Sequence, residues 1–158
     1  MEARLKYWKT SPEAYKAMLA LQETVNAGGL EKKLIDLIYL RASQINGCAF
    51  CIDMHSKDLR AEGESEERLY LLEAWRESPF YSEQERAALA WCEALTKVSE
   101  DHVSDEVFEE TRKHFTDDEL VKLTLAIVAI NGWNRFGIAF RTPPGRYQPA
   151  HYAEAMSV

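Results

Sequence analysis

Two thiols and an imidazole fall within eight consecutive residues, Cys48-Ala49-Phe50-Cys51-Ile52-Asp53-Met54-His55. In a helix that opens at Cys48, Cys51 stands one turn on and His55 follows Cys51 by four, so all three share one face. Free cysteine titrates near pH ~8.5, but a first-turn position sits among unpaired backbone N–H groups at the positive end of the helix dipole, and both favour thiolate. The imidazole adds a proton acceptor. Thiols one turn apart can close a disulfide: a thiolate that attacks a peroxide oxygen becomes a sulfenic acid, and the second thiol condenses with it. The same side chains are acceptable zinc ligands, but a closed site needs a fourth, and no second C-x-x-C or H-x-x-x-H supplies it. Asp53 lies off the stripe. A third reading is a buried pair of small side chains beside a satisfied histidine.

The neighbouring elements must present these groups. Asn46-Gly47 breaks the preceding helix and frees amides to face the next one, which places Cys48 at its start. Upstream, a helix from about Leu30 to Ile45 carries Leu34, Ile35, Leu37, Ile38, Ala42 and Ile45, an apolar surface broad enough to be largely buried. Asp36 interrupts its most apolar part, where a charged carboxylate is costly unless paired or hydrated. Downstream, the cysteine helix runs to about Glu62, with Cys48, Cys51, Ile52, His55 and Leu59 along one stripe and Asp53, Lys57 and Arg60 on a face read as solvated.

The run Ser43-Gln44-Ile45-Asn46-Gly47-Cys48 with its C-x-x-C-x-x-x-H, and the stretch Ile130-Asn131-Gly132-Trp133-Asn134-Arg135-Phe136, resemble the carboxymuconolactone decarboxylase and alkylhydroperoxidase D-like (AhpD-like) superfamily, in its peroxidase-type branch. The resemblance spans roughly Tyr15 to Arg141. It implies a thiol-dependent alkyl hydroperoxide reductase or thiol–disulfide oxidoreductase with no organic or metal cofactor, a hydroperoxide substrate, a dithiol or protein reductant, and a homo-oligomer, trimer or hexamer. It assigns peroxide attack to Cys51 and proton donation to Cys48, although the helix-start position favours Cys48 as the low-pKa thiol. Superfamily members usually carry a glutamate twelve residues before the first cysteine, where this chain has Asp36. Asp36 and His55 are then expected to move protons, through water. Superfamily decarboxylases act on a lactone without this dithiol, so a lyase is the second enzymatic reading. A metal-binding or redox-sensing helical module is the non-enzymatic one.

The remaining chain reads as more helices. Ser11-Pro12-Glu13 opens one that carries Tyr15, Met18, Leu19 and Val25 and stops at Gly28-Gly29. Ser65 begins a helix with Leu69, Leu72 and Trp75 that ends near Ser78-Pro79. Capping-box patterns at Ser82/Glu85 and Thr116/Glu119 open two others, with a short helix from Ser104 between them. The segment Leu120 to Ile130 is apolar nearly all round and therefore central, and Gly132 lets another helix approach. Arg141-Thr142-Pro143-Pro144-Gly145-Arg146 cannot continue a helix and starts a tail, residues 142–158. Without strand-like alternation or a long repeat, the expectation is an all-α single domain over 1–158, a bundle of about six to eight helices.

Composition sets outer limits. The 158 residues are 46% hydrophobic and 28% charged, a globular balance, with a formal charge of −7 that argues against nucleic acid or an anionic membrane as partner. The N-terminus has no apolar leader region, and no apolar run reaches the ~18–20 residues of a bilayer span, so a cytoplasmic protein is expected. Three cysteines suit a reducing compartment with one working pair and one spare. Cys92, among Ala87, Ala88, Trp91 and Leu95, is read as a small buried hydrophobe. His102, His114 and His151 are read as surface histidines, and Trp133-Asn134-Arg135 as structural, in a pocket lining or a subunit contact.

Overall fold

A computed structural model describes residues 2–149. They form helices α1 (Tyr7–Thr10), α2 (Pro12–Asn26), α3 (Lys32–Asn46), α4 (Ala49–Ala61), α5 (Glu66–Tyr70), α6 (Glu83–Thr96), α7 (Asp105–Arg112) and α8 (Asp117–Phe140), with a 3-10 turn at Leu72–Ala74 and no strand among the described residues. The all-α architecture expected from the sequence is present.

Helix starts follow local chemistry. Both capping boxes form: Ser82 and Thr116 accept the N–H of Glu85 and Glu119, whose carboxylates accept the caps' own N–H groups. Ser65 and Ser104 cap α5 and α7 in the simpler way, by accepting Arg68 N–H and Val107 N–H. The single helix expected after Ser65 is instead the five-residue α5 and the 3-10 turn. There Leu72 and Trp75 turn into the core, and the Arg86 guanidinium donates to the carbonyls of Trp75, Arg76 and Ser78.

α3 and α8 are the centre. α3 packs on α4, α6 and α8, while α8 also meets α2. Ile38, Ala88, Leu123, Ile127 and Ile130 fill the seam of α3, α6 and α8. Leu37, Leu40, Leu59, Leu72 and Leu89 fill a second cluster, where α3, α4, the 3-10 turn and α6 meet. α8 continues through Gly132, where a β-carbon would lie 2.8 Å from Met18 Cε, so α2 does cross close to this glycine. By length and composition α8 could cross a bilayer, a possibility that counting uninterrupted apolar runs overlooked, yet it is the core helix of this bundle.

Two features lay outside the sequence reading. α1 folds back so that the Tyr7 ring meets Phe136 and Phe140 at centroid distances of 5.1 and 5.5 Å, while Arg4 N–H donates to Phe140 O at 2.9 Å. The tail returns across α4: Gly145 N–H donates to Asp53 (2.9 Å), Lys57 Nζ to Tyr147 O (3.1 Å) and the Tyr147 hydroxyl to Asp58 (2.7 Å). The face assigned to solvent is therefore partly covered.

Candidate active site

α3 stops where Gly47 adopts a left-handed conformation (φ 68°), which costs glycine little. Gly47 N–H bonds to Gln44 O at 3.1 Å and Cys48 N–H to Ser43 O at 3.0 Å, closing the helix end and pinning Cys48 to it. Cys48 is the extended N-cap residue of α4, and its carbonyl accepts Ile52 N–H at 2.9 Å. The α4 stripe then turns inward, leaving Cys48, Cys51 and His55 only 1%, 2% and 6% exposed.

Both thiols are free and face α8 at Gly137, where a β-carbon would lie 2.9 Å from Cys48 Sγ and 3.6 Å from Cys51 Sγ. One turn earlier on α8, the fully buried Asn134 donates its amide N–H to Ser43 Oγ at 3.0 Å. The Cys51 thiol beside Cys48 lowers the Cys48 pKa to about 7, with the backbone N–H groups of Cys51 and Phe50 and the Asn134 side chain helping against burial. Cys51 moves upward, held protonated by its hydrogen bond to Cys48 and by burial, while Asn134 and Ser43 pull the other way. Cys48 is thus the more acidic thiol of the pair, and Cys51 the one held protonated.

His55 packs edge-on against Tyr39, with ring centroids 5.2 Å apart, and neither ring nitrogen has a partner within the protein. Burial, assisted by the Lys32 charge, lowers its pKa to about 4, so the imidazole is neutral at pH 7. Asp36 lies on the inner face of α3, 8% exposed, with Lys32 Nζ 2.5 Å from its carboxylate. Lys32 also bonds Glu62 at the end of α4. Burial raises the Asp36 pKa, only partly offset by Lys32. The fold thus brings Cys48 and Cys51 together, sets His55 one turn along, and joins Asp36 to α4 through Lys32; Asp36 and His55 share no direct hydrogen bond.

Ser43, Asn134, Gly137 and Tyr7 are the members of the neighbourhood that the motif reading did not single out as reactive. Burial raises the Tyr7 pKa, and the nearby Cys51 and Cys48 add to the rise. Only the helical spacing of Asn134 and Gly137 hints at them in sequence, since both contacts are made between distant segments. Cys92 is apart, fully buried, with Sγ 3.4 Å from Ile38 O and its pKa raised by burial to about 12. His102 is exposed, His114 stands 3.5 Å from Glu110, and His151 lies outside the described residues. Among the described residues no three His, Cys, Asp or Glu side chains are grouped to hold a metal ion.

The model of the Carboxymuconolactone decarboxylase family matches residues 12–94. The chain is 42% identical over 139 residues to YdfG of Bacillus subtilis, an uncharacterized protein, covering 88% of this chain and 95% of YdfG. A crystal structure of a protein of unknown function from Agrobacterium tumefaciens, provisionally assigned to antioxidant defence as AhpD, superposes with a TM-score of 0.89 at 52% identity, covering 92% of this chain and all of that one. The debrominase Bmp8 shares the fold alone, at 21% identity and a TM-score of 0.75, covering 87% of this chain and 74% of its own.

Proposed function

Because the chain belongs to the carboxymuconolactone decarboxylase family, we propose that it is a thiol-dependent hydroperoxide reductase of the AhpD-like kind, in which Cys48 and Cys51 cycle between dithiol and disulfide. The observation that carries this reading is the pair of free, buried thiols at the start of α4 that together face Gly137 of α8.

The two indications about cysteine roles then become successive steps. Cys48 rests as thiolate and takes the Cys51 proton. The Cys51 thiolate so formed attacks a peroxide oxygen, the O–O bond breaks, and Cys48 returns the proton to the departing alkoxide, leaving an alcohol and a Cys51 sulfenic acid. Cys48, again thiolate, attacks the Cys51 sulfur; the S–O bond breaks and hydroxide leaves as water with one further proton. That proton comes from solvent, and Asp36 and the neutral imidazole of His55 relay it through water, each taking up one proton as it passes one on. A dithiol or protein reductant then returns two electrons and two protons to the disulfide, which requires a reducing compartment such as the cytoplasm.

The lyase reading leaves the two buried thiols without a role. The family also points to a homo-oligomer, trimer or hexamer, for which Val121 and Val128, 70% and 54% exposed on α8, offer apolar surface. The activity test is consumption of an alkyl hydroperoxide with dithiothreitol as reductant. Turnover in the wild type and its loss in both Cys51→Ser and Cys48→Ser are expected; turnover that survives both substitutions would refute the dithiol mechanism.

A further inference from the structure

We propose that Asn134 is the residue that holds hydrogen-bond donors toward the dithiol, and that Asn46 and Asn131 are positioning residues which dictate its orientation from a surface anchor at Arg135. The inference rests on the reading of Cys48 and Cys51 as the reactive pair.

The oxygen and nitrogen of an amide are told apart by their partners. Asn131 has two partners of fixed polarity. Its Nδ2 lies 3.0 Å from the Ile127 backbone carbonyl, which can only accept, and its Oδ1 lies 3.2 Å from Arg135 Nη1, which can only donate. The same Oδ1 stands 3.0 Å from the Asn46 side chain, so Asn46 must present its Nδ2 there. The second Asn46 N–H then reaches Asn134 Oδ1 at 2.8 Å. That contact uses the acceptor end of Asn134 and turns its Nδ2 to Ser43 Oγ, at 3.0 Å, one helical turn before the Gly137 position that both sulfurs face.

Arg135 and Asn46 both donate to Asn131 Oδ1, and Asn46 donates again to Asn134 Oδ1, so three amides link an exposed guanidinium to the residue beside the dithiol and each fixes the orientation of the next. One Asn134 N–H is taken by Ser43, and the second is the donor assigned to the sulfurs, which lie one helical turn on at Gly137. Ser43, having accepted, is left with its own hydroxyl hydrogen to offer to Cys51. Donors on the Cys51 side favour movement of the shared proton to Cys48 and stabilise charge on the Cys51 sulfur while it attacks. A flipped Asn134 would put a carbonyl oxygen against that sulfur and oppose the same step.

Asn134→Leu is the direct variant, but Asn134 is fully buried and its loss endangers the fold. Asn46→Ala removes the restraint at a half-buried helix end and leaves Asn134 in place. Asn46→Asp replaces the donor by an acceptor and adds a charge. The readout is the pH dependence of iodoacetamide alkylation of the reduced protein, mapped at Cys48 and Cys51 by mass spectrometry, with circular dichroism as the folding control. The alkylation midpoint is expected to rise by about one pH unit, roughly a fivefold loss of thiolate at neutral pH, in both Asn46 variants. An unmoved midpoint in folded Asn46→Ala overturns the inference, and so does a rise confined to Asn46→Asp, which would report charge alone. A moved midpoint in a protein that reduces no hydroperoxide would refute the proposed function and leave this inference standing. Hydroperoxide turnover with an unmoved midpoint would do the reverse.

Discussion

Gly137 and Cys48 meet across the interface of α8 and α4 so closely that a β-carbon on Gly137 would lie 2.9 Å from Cys48 Sγ. Gly137→Ala is therefore expected to set two effects against each other. Alanine improves helix propensity by about 1 kcal/mol. Overpacking against a buried sulfur costs about 1–3 kcal/mol. A lower melting temperature and altered Cys48 alkylation are expected. Gly132→Ala, which meets only the flexible end of Met18, is expected to be neutral or stabilising. Equal behaviour of the two variants in thermal unfolding and alkylation would remove the special role of the Gly137 contact.

The Cys48 thiol gives a pH window. Its folded pKa is lowered to about 7, so its contribution to stability is present above the ordinary thiol pKa and is lost as pH falls through about 7. Cys51 has the opposite sign, and its raised pKa costs stability only above the ordinary thiol range. Between about pH 7 and 9 the reduced protein should therefore gain stability relative to Cys48→Ser, measured by urea unfolding at fixed pH. Parallel curves for the two proteins would count against a depressed Cys48 pKa.

His55 gives the acid limb. Its pKa falls from 6.5 unfolded to about 4 folded because of burial, so folding excludes a proton and stability drops as pH falls from 6.5 toward 4. The loss at the lower end is on the order of 3 kcal/mol. His55→Gln should flatten this limb in the same unfolding series. An unchanged acid limb would place the titration elsewhere.

Recognising the reactive stretch and its helices in sequence was possible because the signals are local. Gly47 at a helix end, the Ser82/Glu85 and Thr116/Glu119 capping boxes, and the one-turn spacing of Cys48, Cys51 and His55 all act within a few residues. The contacts that set the thiols' environment are not local: Gly137 and Asn134 come from α8, roughly ninety residues downstream in the chain. Asp36 shows the same limit. Its burial was legible from its apolar neighbours, but its bridge through Lys32 to Glu62 depends on how α3 and α4 dock. Tyr7 lies in a four-residue helix too short to carry a periodic signal, and it is placed by Phe136 and Phe140.

Asp36 is expected to assist the final protonation. Asp36→Asn should slow oxidation of the dithiol by peroxide about 10²–10⁴-fold. Asp36→Glu, which restores the superfamily's usual acid, should retain or improve the rate. Stopped-flow oxidation from pH 5 to 9 checks both variants, with circular dichroism as the folding control. Unchanged rates in Asp36→Asn would leave Asp36 as a structural partner of Lys32.

The dithiol chemistry is tested most directly by adding one equivalent of alkyl hydroperoxide to the fully reduced protein, then counting thiols and mapping disulfides by peptide mass. The expected result is loss of two of the three thiols, a Cys48–Cys51 intrachain disulfide, and Cys92 still reduced. Three thiols remaining, or a dominant cross-link through Cys92, would contradict it.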